Sequence, residues 1–183
     1  AQETWEIICS IQGKDPDELS AEEGSDEEML PMPKQDNLTE IFEELQSVDQ
    51  SRRNKVIERM LENDQAFLFK LKEIFEALEG IVSEDGLHKM FLVFKALLNI
   101  SDMRLLETLL SDKYYLTTFG VLEYNNEIST KHIETKHRKF LKETLKFKQF
   151  IPLENEEVIA KIHLNYRLSY LKDTALATGL DEC

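Results

Sequence analysis

An all-α fold is expected from three features of the chain. From Asn37 onward, apolar residues recur at the i, i+3, i+4 and i+7 spacing of amphipathic helices. Glycine and proline number only 6 and 4, too few for a turn-rich β fold. No stretch alternates apolar and polar residues between hairpin turns. The 183 residues suffice for one ordinary domain with an attached tail, and a hydrophobic fraction of 42% supplies its core.

Charge divides the chain. Residues 1–36 hold 11 Asp+Glu against 2 Lys+Arg, a net of −9. Residues 37–183 hold 25 against 20, a net of −5, so the whole carries −14. A chain of this charge lacks the basic surface that non-specific nucleic-acid binding requires. The two cysteines, Cys9 and Cys183, have no paired spacing, so neither a disulfide framework nor a zinc site is expected. The first ten residues lack a basic region followed by a long apolar run, so they do not read as a secretory leader. No uncharged stretch approaches the ~18 residues of a membrane span.

The elements are expected as follows. Residues 3–12 form a short amphipathic helix presenting Trp5, Ile8 and Ile11, too short to be stable undocked. Residues 13–36 are rich in acidic residues, Gly, Ser and Pro and poor in large apolar ones. They read as a disordered acidic linker. Within it, Ser20 and Ser25 are each followed by acidic residues at the third position, the pattern of sites for an acidophilic kinase. Asn37 and Glu40 have capping-box spacing and open a helix with Ile41, Phe42, Leu45 and Val48 inside. A second helix runs from about Ser51, burying Val56, Ile57, Met60 and Leu61, until Asn63-Asp64 breaks it. The third carries Phe67, Leu68, Leu71, Ile74, Phe75 and Leu78 and stops at Gly80. Ser83 caps a fourth with Leu87, Met90, Phe91, Phe94, Leu97 and Leu98. Ser101 caps a fifth with Leu105, Leu106, Leu109 and Leu110. Ser111-Asp112 opens a sixth with Tyr115, Leu116, Phe119 and Leu122.

Residues 131–152 then read as one long helix, ended by Pro152. At 100° per residue its apolar sector holds Ile133, Phe140, Leu141, Leu145, Phe147 and Ile151. His137 and Lys148 fall in the same sector and are expected to cap or bridge neighbouring helices. The opposite side collects Lys131, Arg138, Lys139, Lys142 and Lys146. A last helix, from about Glu154 to Asp173, carries Val158, Ile159, Ile162, Tyr166 and Tyr170. Short helices, short connections and wide apolar faces fit a stacked array of armadillo or HEAT type, occupying residues 37–183 after the linker.

Four blocks then carry a resemblance. The first is Trp5 to Pro16, WEIICSIQGKDP. The second is Gly86-Leu87-His88. The third joins Leu105, Glu107, Ser111-Asp112 and Gly120-Val-Leu-Glu-Tyr124. The fourth holds Lys136-His-Arg138, Phe140-Leu141, Thr144, Lys146-Phe-Lys148 and Ile151-Pro152, and continues through Lys161-Ile-His163, Tyr166-Arg167, Tyr170 and Asp173. In order and spacing these blocks resemble regulatory subunit 3 of protein phosphatase 4, the family also called SMEK or Falafel. The resemblance implies a non-catalytic scaffold subunit. Its implied partners are the phosphatase 4 catalytic subunit and a second regulatory subunit. Residues 1–12 would be the last helix of an EVH1-like domain, so substrate proteins would be read by a part upstream of this chain. The implied location is nucleus and cytoplasm, with no direct role for nucleic acid or membrane.

The residues agree with the expectation of no catalysis and no cofactor. No phosphate-binding glycine loop is present. None of the four histidines, His88, His132, His137 and His163, pairs with another at i, i+4 metal spacing. Nor is any glycine followed by the Asp or Asn-His of a two-metal phosphatase site. His88 and His163 are expected as hydrogen-bonded packing residues. The one surface with a functional reading is the basic ridge of Lys131, Arg138, Lys142 and Lys146, expected to face outward and hold an acidic segment. Two identities for that segment stay open, the linker 17–28 in cis or a phosphatase-complex subunit in trans. A helical-repeat adaptor that binds another acidic partner is the alternative reading of the whole chain.

Overall fold

In the computed structural model, residues 30–125, 136–144 and 154–175 are described. The chain divides into two compact units, residues 1–31 and 32–183. The expected helix 3–12, most of the linker, and the segments 126–135, 145–153 and 176–183 lie outside the described residues. Among the described residues the second unit is helical and has no strand.

The unit begins at Met32, five residues before the expected start. Pro33 is buried. Asn37 donates to the Met32 carbonyl at 3.1 Å and accepts from the Lys34 amide at 2.7 Å. That commitment takes Asn37 away from the expected capping box: it makes no side-chain bond into helix α1, Leu38–Gln46. α1 buries Leu38, Ile41 and Leu45.

Helix α2 spans Arg53–Ile81 and is bent where the break is expected. Asp49 opens it, its carboxylate accepting from the amides of Ser51 and Arg52 at 2.9 and 2.8 Å. Asn63, Asp64 and Gln65 then stand in the left-handed region, with φ of 50°, 57° and 64°. Such residues end a right-handed helix, because each places Cβ against a carbonyl. Both arms are amphipathic, burying Val56, Ile57 and Met60 before the bend and Phe67, Leu68, Leu71, Ile74, Phe75 and Leu78 after it. Gly80 is not the stop. The helix runs through it to Ile81, and Val82 takes the left-handed cap position at φ 53°.

Helix α3, Glu84–Asn99, starts at the expected cap, Ser83, whose hydroxyl accepts from the Gly86 amide. Gly86 is required here, because a Cβ would run into the Leu78 side chain of α2. α3 packs on α1 and α2 and on α5 (Tyr115–Leu122), so among the described residues it is the hub of the fold. α4 covers Met103–Leu109. Its cap is Asp102 and not Ser101, because Asp102 accepts from the amides of Arg104 and Leu105 while Ser101 is left-handed at φ 55°. α5 begins after a turn at 111–114 and is buried from Thr117 to Leu122, with Thr118 donating to the Leu109 carbonyl at 2.8 Å.

Of the expected helix 131–152, only residues 136–144 are described, and there it differs in phase. Its described part is a single α-helical turn, α6, His137–Lys139, continued by a π-helical turn, Phe140–Thr144. Lys136 is already non-helical at φ −91°, ψ 65°. Lys148 and Pro152 lie outside the described residues. α7, Glu156–Tyr170, follows and ends in a second π-helical turn, Leu171–Ala175.

Candidate partner-binding surface

Arg138 reaches the position farthest from its expectation. It turns inward between α2 and the end of α5. Its guanidinium donates to Glu79 at 2.9 Å and to Glu123 at 2.7 and 2.9 Å, and its backbone amide donates to Glu123 at 2.8 Å. The guanidinium also lies 5.8 Å from the centre of the Phe75 ring, within cation–π range. Tyr124 donates to Glu79 at 2.7 Å and meets Phe75 edge-on at 6.0 Å. Gly120 makes this possible: a Cβ there would stand 3.0 Å from Cδ and Nε of Arg138.

The titration of these groups follows the geometry. Partial burial pushes the Glu79 carboxyl up, but the Arg138 hydrogen bonds, the Tyr124 hydroxyl and the Arg138 charge outweigh it and hold it below its ordinary range. Burial opposes the Arg138 charge, yet the bonds to Glu79 and Glu123 raise its affinity for the proton. Burial, then the bond to Glu79, raises the Tyr124 hydroxyl. Two carboxylates thus share one guanidinium, and Arg138 serves as a latch that fixes α6 against α2 and α5.

His137 points into an aromatic cluster. Its Nδ1 lies 3.0 Å from the Tyr170 hydroxyl. Phe119 sits 5.5 Å from the Tyr170 ring and Phe140 stacks on it at 5.1 Å. Burial lowers the His137 affinity for a proton, with Glu123 opposing. The expected bridging role for His137 is what this geometry provides. Leu141 is buried as expected, while Phe140 and Tyr166 are only half-buried and Phe147 lies outside the described residues. His88 departs from its expectation: it stacks on Phe91 at 6.2 Å, but its buried Nδ1 has no hydrogen-bond partner.

A second arginine escaped the sequence reading. Arg167, the buried residue of α7, donates to the Leu110 carbonyl at 2.8 Å and to Asp112, and stacks 3.8 Å over Tyr115. It anchors α7 to the turn between α4 and α5. The only signal in the sequence was its place in the resemblance block, beside Ser111-Asp112 in the preceding one.

Of the basic ridge, Lys142 is exposed, as is Lys139. Lys131 and Lys146 lie outside the described residues, as do Ser20 and Ser25. Arg138 and Lys142 do not form one exposed ridge, because the π-turn shifts the phase and Arg138 is held by its carboxylates.

One concave feature opens between α1 and α3, a cleft of about 640 Å³ lined by Phe42, Leu45, Val48, Leu92, Ala96 and Ile100. Its titratable lining groups are Asp49, Arg53 and Lys95, and Asp49 is committed to opening α2. Among the described residues no three His, Cys, Asp or Glu side chains cluster so as to hold a metal ion. No helix among them is long and apolar enough to cross a membrane.

Comparison with known proteins sharpens this picture. Residues 37–183 match the family described as phosphatase 4 regulatory subunit 3. The chain is 31% identical over 191 residues to the serine/threonine-protein phosphatase 4 regulatory subunit 3 of Drosophila melanogaster, covering 96% of this chain and 19% of the fly protein. It is 33% identical over 155 residues to an uncharacterized protein of Schizosaccharomyces pombe, covering 84% of this chain and 18% of the yeast protein. The chain therefore spans less than a fifth of the length of these curated relatives. No solved structure matches.

Proposed function

Because the chain belongs to the phosphatase 4 regulatory subunit 3 family, we propose that it is a segment of a non-catalytic subunit that scaffolds and targets a serine/threonine phosphatase. The single observation that carries this reading is the family match over residues 37–183. In this reading the segment contacts the phosphatase 4 catalytic subunit and a second regulatory subunit, and substrates are recruited through a part outside this chain. The helices stack as an armadillo-like array. The protein acts in nucleus and cytoplasm.

The exposed lysines Lys139 and Lys142, with Lys131 and Lys146, give the array an acidic-segment docking surface. Arg138 positions that surface through Glu79 and Glu123 and does not itself contact the partner. Exposed pairs contribute only about 0.2–1 kcal/mol each, so several must act together. Phosphorylation of Ser20 and Ser25 would add negative charge to the linker and strengthen its competition for the same lysines.

The test is co-purification of the chain with the phosphatase 4 catalytic subunit, with and without the second regulatory subunit. Retention in a single complex, lost when Lys131, Lys142 and Lys146 become Glu, supports the whole reading. Retention unaffected by the reversal places the docking surface elsewhere. Failure to retain either subunit removes the scaffold role from this segment.

A further inference from the structure

Among the described residues, helix α7 is anchored through its C-terminal half and exposed through its N-terminal half. Its C-terminal half is anchored by Arg167 on Leu110, Asp112 and Tyr115, and by Tyr170 in the Phe119–His137–Phe140 cluster. From Glu154 to Ile162 every residue except Ile159 is exposed. Val158 and Ile162, one turn apart, retain 43% and 41% of their surface. Residues at i and i+4 lie on one side of a helix, so these two form a partly exposed apolar stripe among the described residues.

Local devices help to hold this half of the helix in shape. Asn155 accepts from the amides of Glu157 and Val158 at 3.0 and 3.2 Å. Glu156 and Glu157 occupy the first turn, where the helix dipole favours negative charge. Glu157 and Lys161 pair at 2.8 Å. A helix kept formed by its own termini and side chains, with its aliphatic residues in water, is pre-organised for a partner.

The surroundings of the stripe are acidic. Glu154 stands one turn before Val158, and Glu157 lies beside it. Lys161 also feels Glu107 of the neighbouring α4, on which Met103, one turn earlier, is 59% exposed. Two carboxylates, Glu157 and Glu107, thus act on the one lysine of this face, Lys161, and Glu154 precedes the helix on the same side.

We propose that the outer face of α7, built on Val158 and Ile162, docks an amphipathic helix of a partner protein whose apolar stripe is flanked by basic residues. Anchors at i and i+4 are the recognition pattern of helix pairing, and the carboxylates complement Lys or Arg on the partner. The inference does not depend on the identity of the phosphatase subunits, so its test uses none of them.

The full chain is titrated with three synthetic amphipathic peptides by fluorescence anisotropy at 0.1 M salt. One has a leucine stripe flanked by Lys, one the same stripe flanked by Glu, and one the Lys peptide with its stripe scrambled. The Lys-flanked peptide is expected to bind at least about tenfold tighter than the other two, a difference well outside measurement error. Val158→Ser with Ile162→Ser should remove that binding at unchanged melting temperature. Glu154→Gln with Glu157→Gln should bring the Lys and Glu peptides toward equal affinity. Equal binding of the scrambled peptide, or unchanged binding by the serine variant, overturns the proposal. So does concentration-dependent self-association of the chain that the serine variant abolishes, because a second copy would then be the occupant.

Discussion

α3 and α7 have nearly the same length, 16 and 15 residues, and opposite relations to the core. α3 buries nine residues, while α7 buries one, and that one is an arginine. α3 packs on α1, α2 and α5, so most of its circumference faces protein. Each Leu, Met or Phe buried there contributes about 1.5–3 kcal/mol. α7 has a similar supply of aliphatic and aromatic residues, yet leaves Val158 and Ile162 in water. The difference shows that an apolar helix face is spent in one of two ways. The face of α3 builds the fold, and that of α7 remains available once two side chains, Arg167 and Tyr170, have fixed the helix in place.

The largest expected effect therefore lies in α3. Phe94→Ala should cost about 3–5 kcal/mol, read from the shift of the denaturant midpoint at unchanged slope. A loss under about 1 kcal/mol would mean that α3 is not the hub.

Next comes the anchor of α7. Arg167→Ala removes charge-assisted bonds to Leu110 and Asp112 and the stack on Tyr115. A cost of about 2 kcal/mol is expected from bonds of this type. It should be accompanied by faster amide exchange through α7 and unchanged exchange in α3. Equal loosening of both helices would erase the distinction between them.

Acid provides a third handle on the contacts around α6. The Glu79 carboxyl is depressed in the folded state, so its contribution is present above the ordinary carboxylate range and is lost as pH falls through the folded value. His137 is also depressed, for it is buried neutral. Its contribution is present above the ordinary value of 6.5 and is lost as pH falls below it. Melting temperature should drop between pH 7 and pH 5, and His137→Gln should flatten that part of the profile. A profile unchanged by the substitution would place His137 outside the aromatic cluster.

A smaller gain is expected at Val82, a β-branched residue in the left-handed region. Val82→Gly should stabilise by about 1 kcal/mol, because glycine carries no Cβ penalty there. A loss of stability would indicate a packing role for the exposed valine. The smallest effect belongs to the free face: Val158→Ser with Ile162→Ser should change stability by less than about 0.5 kcal/mol, as exposed substitutions do.

Much of this architecture was legible in the residues. The bend at Asn63-Asp64, the cap at Ser83 and the buried set of α3 all follow from local chemistry and helical period. The failures share a cause. Asn37, Gly80 and Ser101 were read from spacing alone, and in each case a neighbouring group decided the geometry: the Met32 carbonyl, the continued packing of α2, and the stronger acceptor Asp102. The outward reading of Arg138 assumed one α-helical phase from residue 131. The helix instead begins at His137 and widens to a π-turn at Phe140, and its carboxylate partners come from positions 79 and 123. Periodicity also identified the apolar side of α7 without revealing whether anything covers it. Coverage depends on distant elements, which a local pattern does not encode.

Amide hydrogen exchange on the isolated chain, compared between residues 87–98 and 156–162, tests the contrast most directly. Amides of α3 should exchange only through global unfolding. Those at the start of α7 should exchange much faster, through local opening that costs far less. Addition of the Lys-flanked peptide should slow exchange in 156–162 alone. Equal protection of the two segments in the free chain would contradict the account.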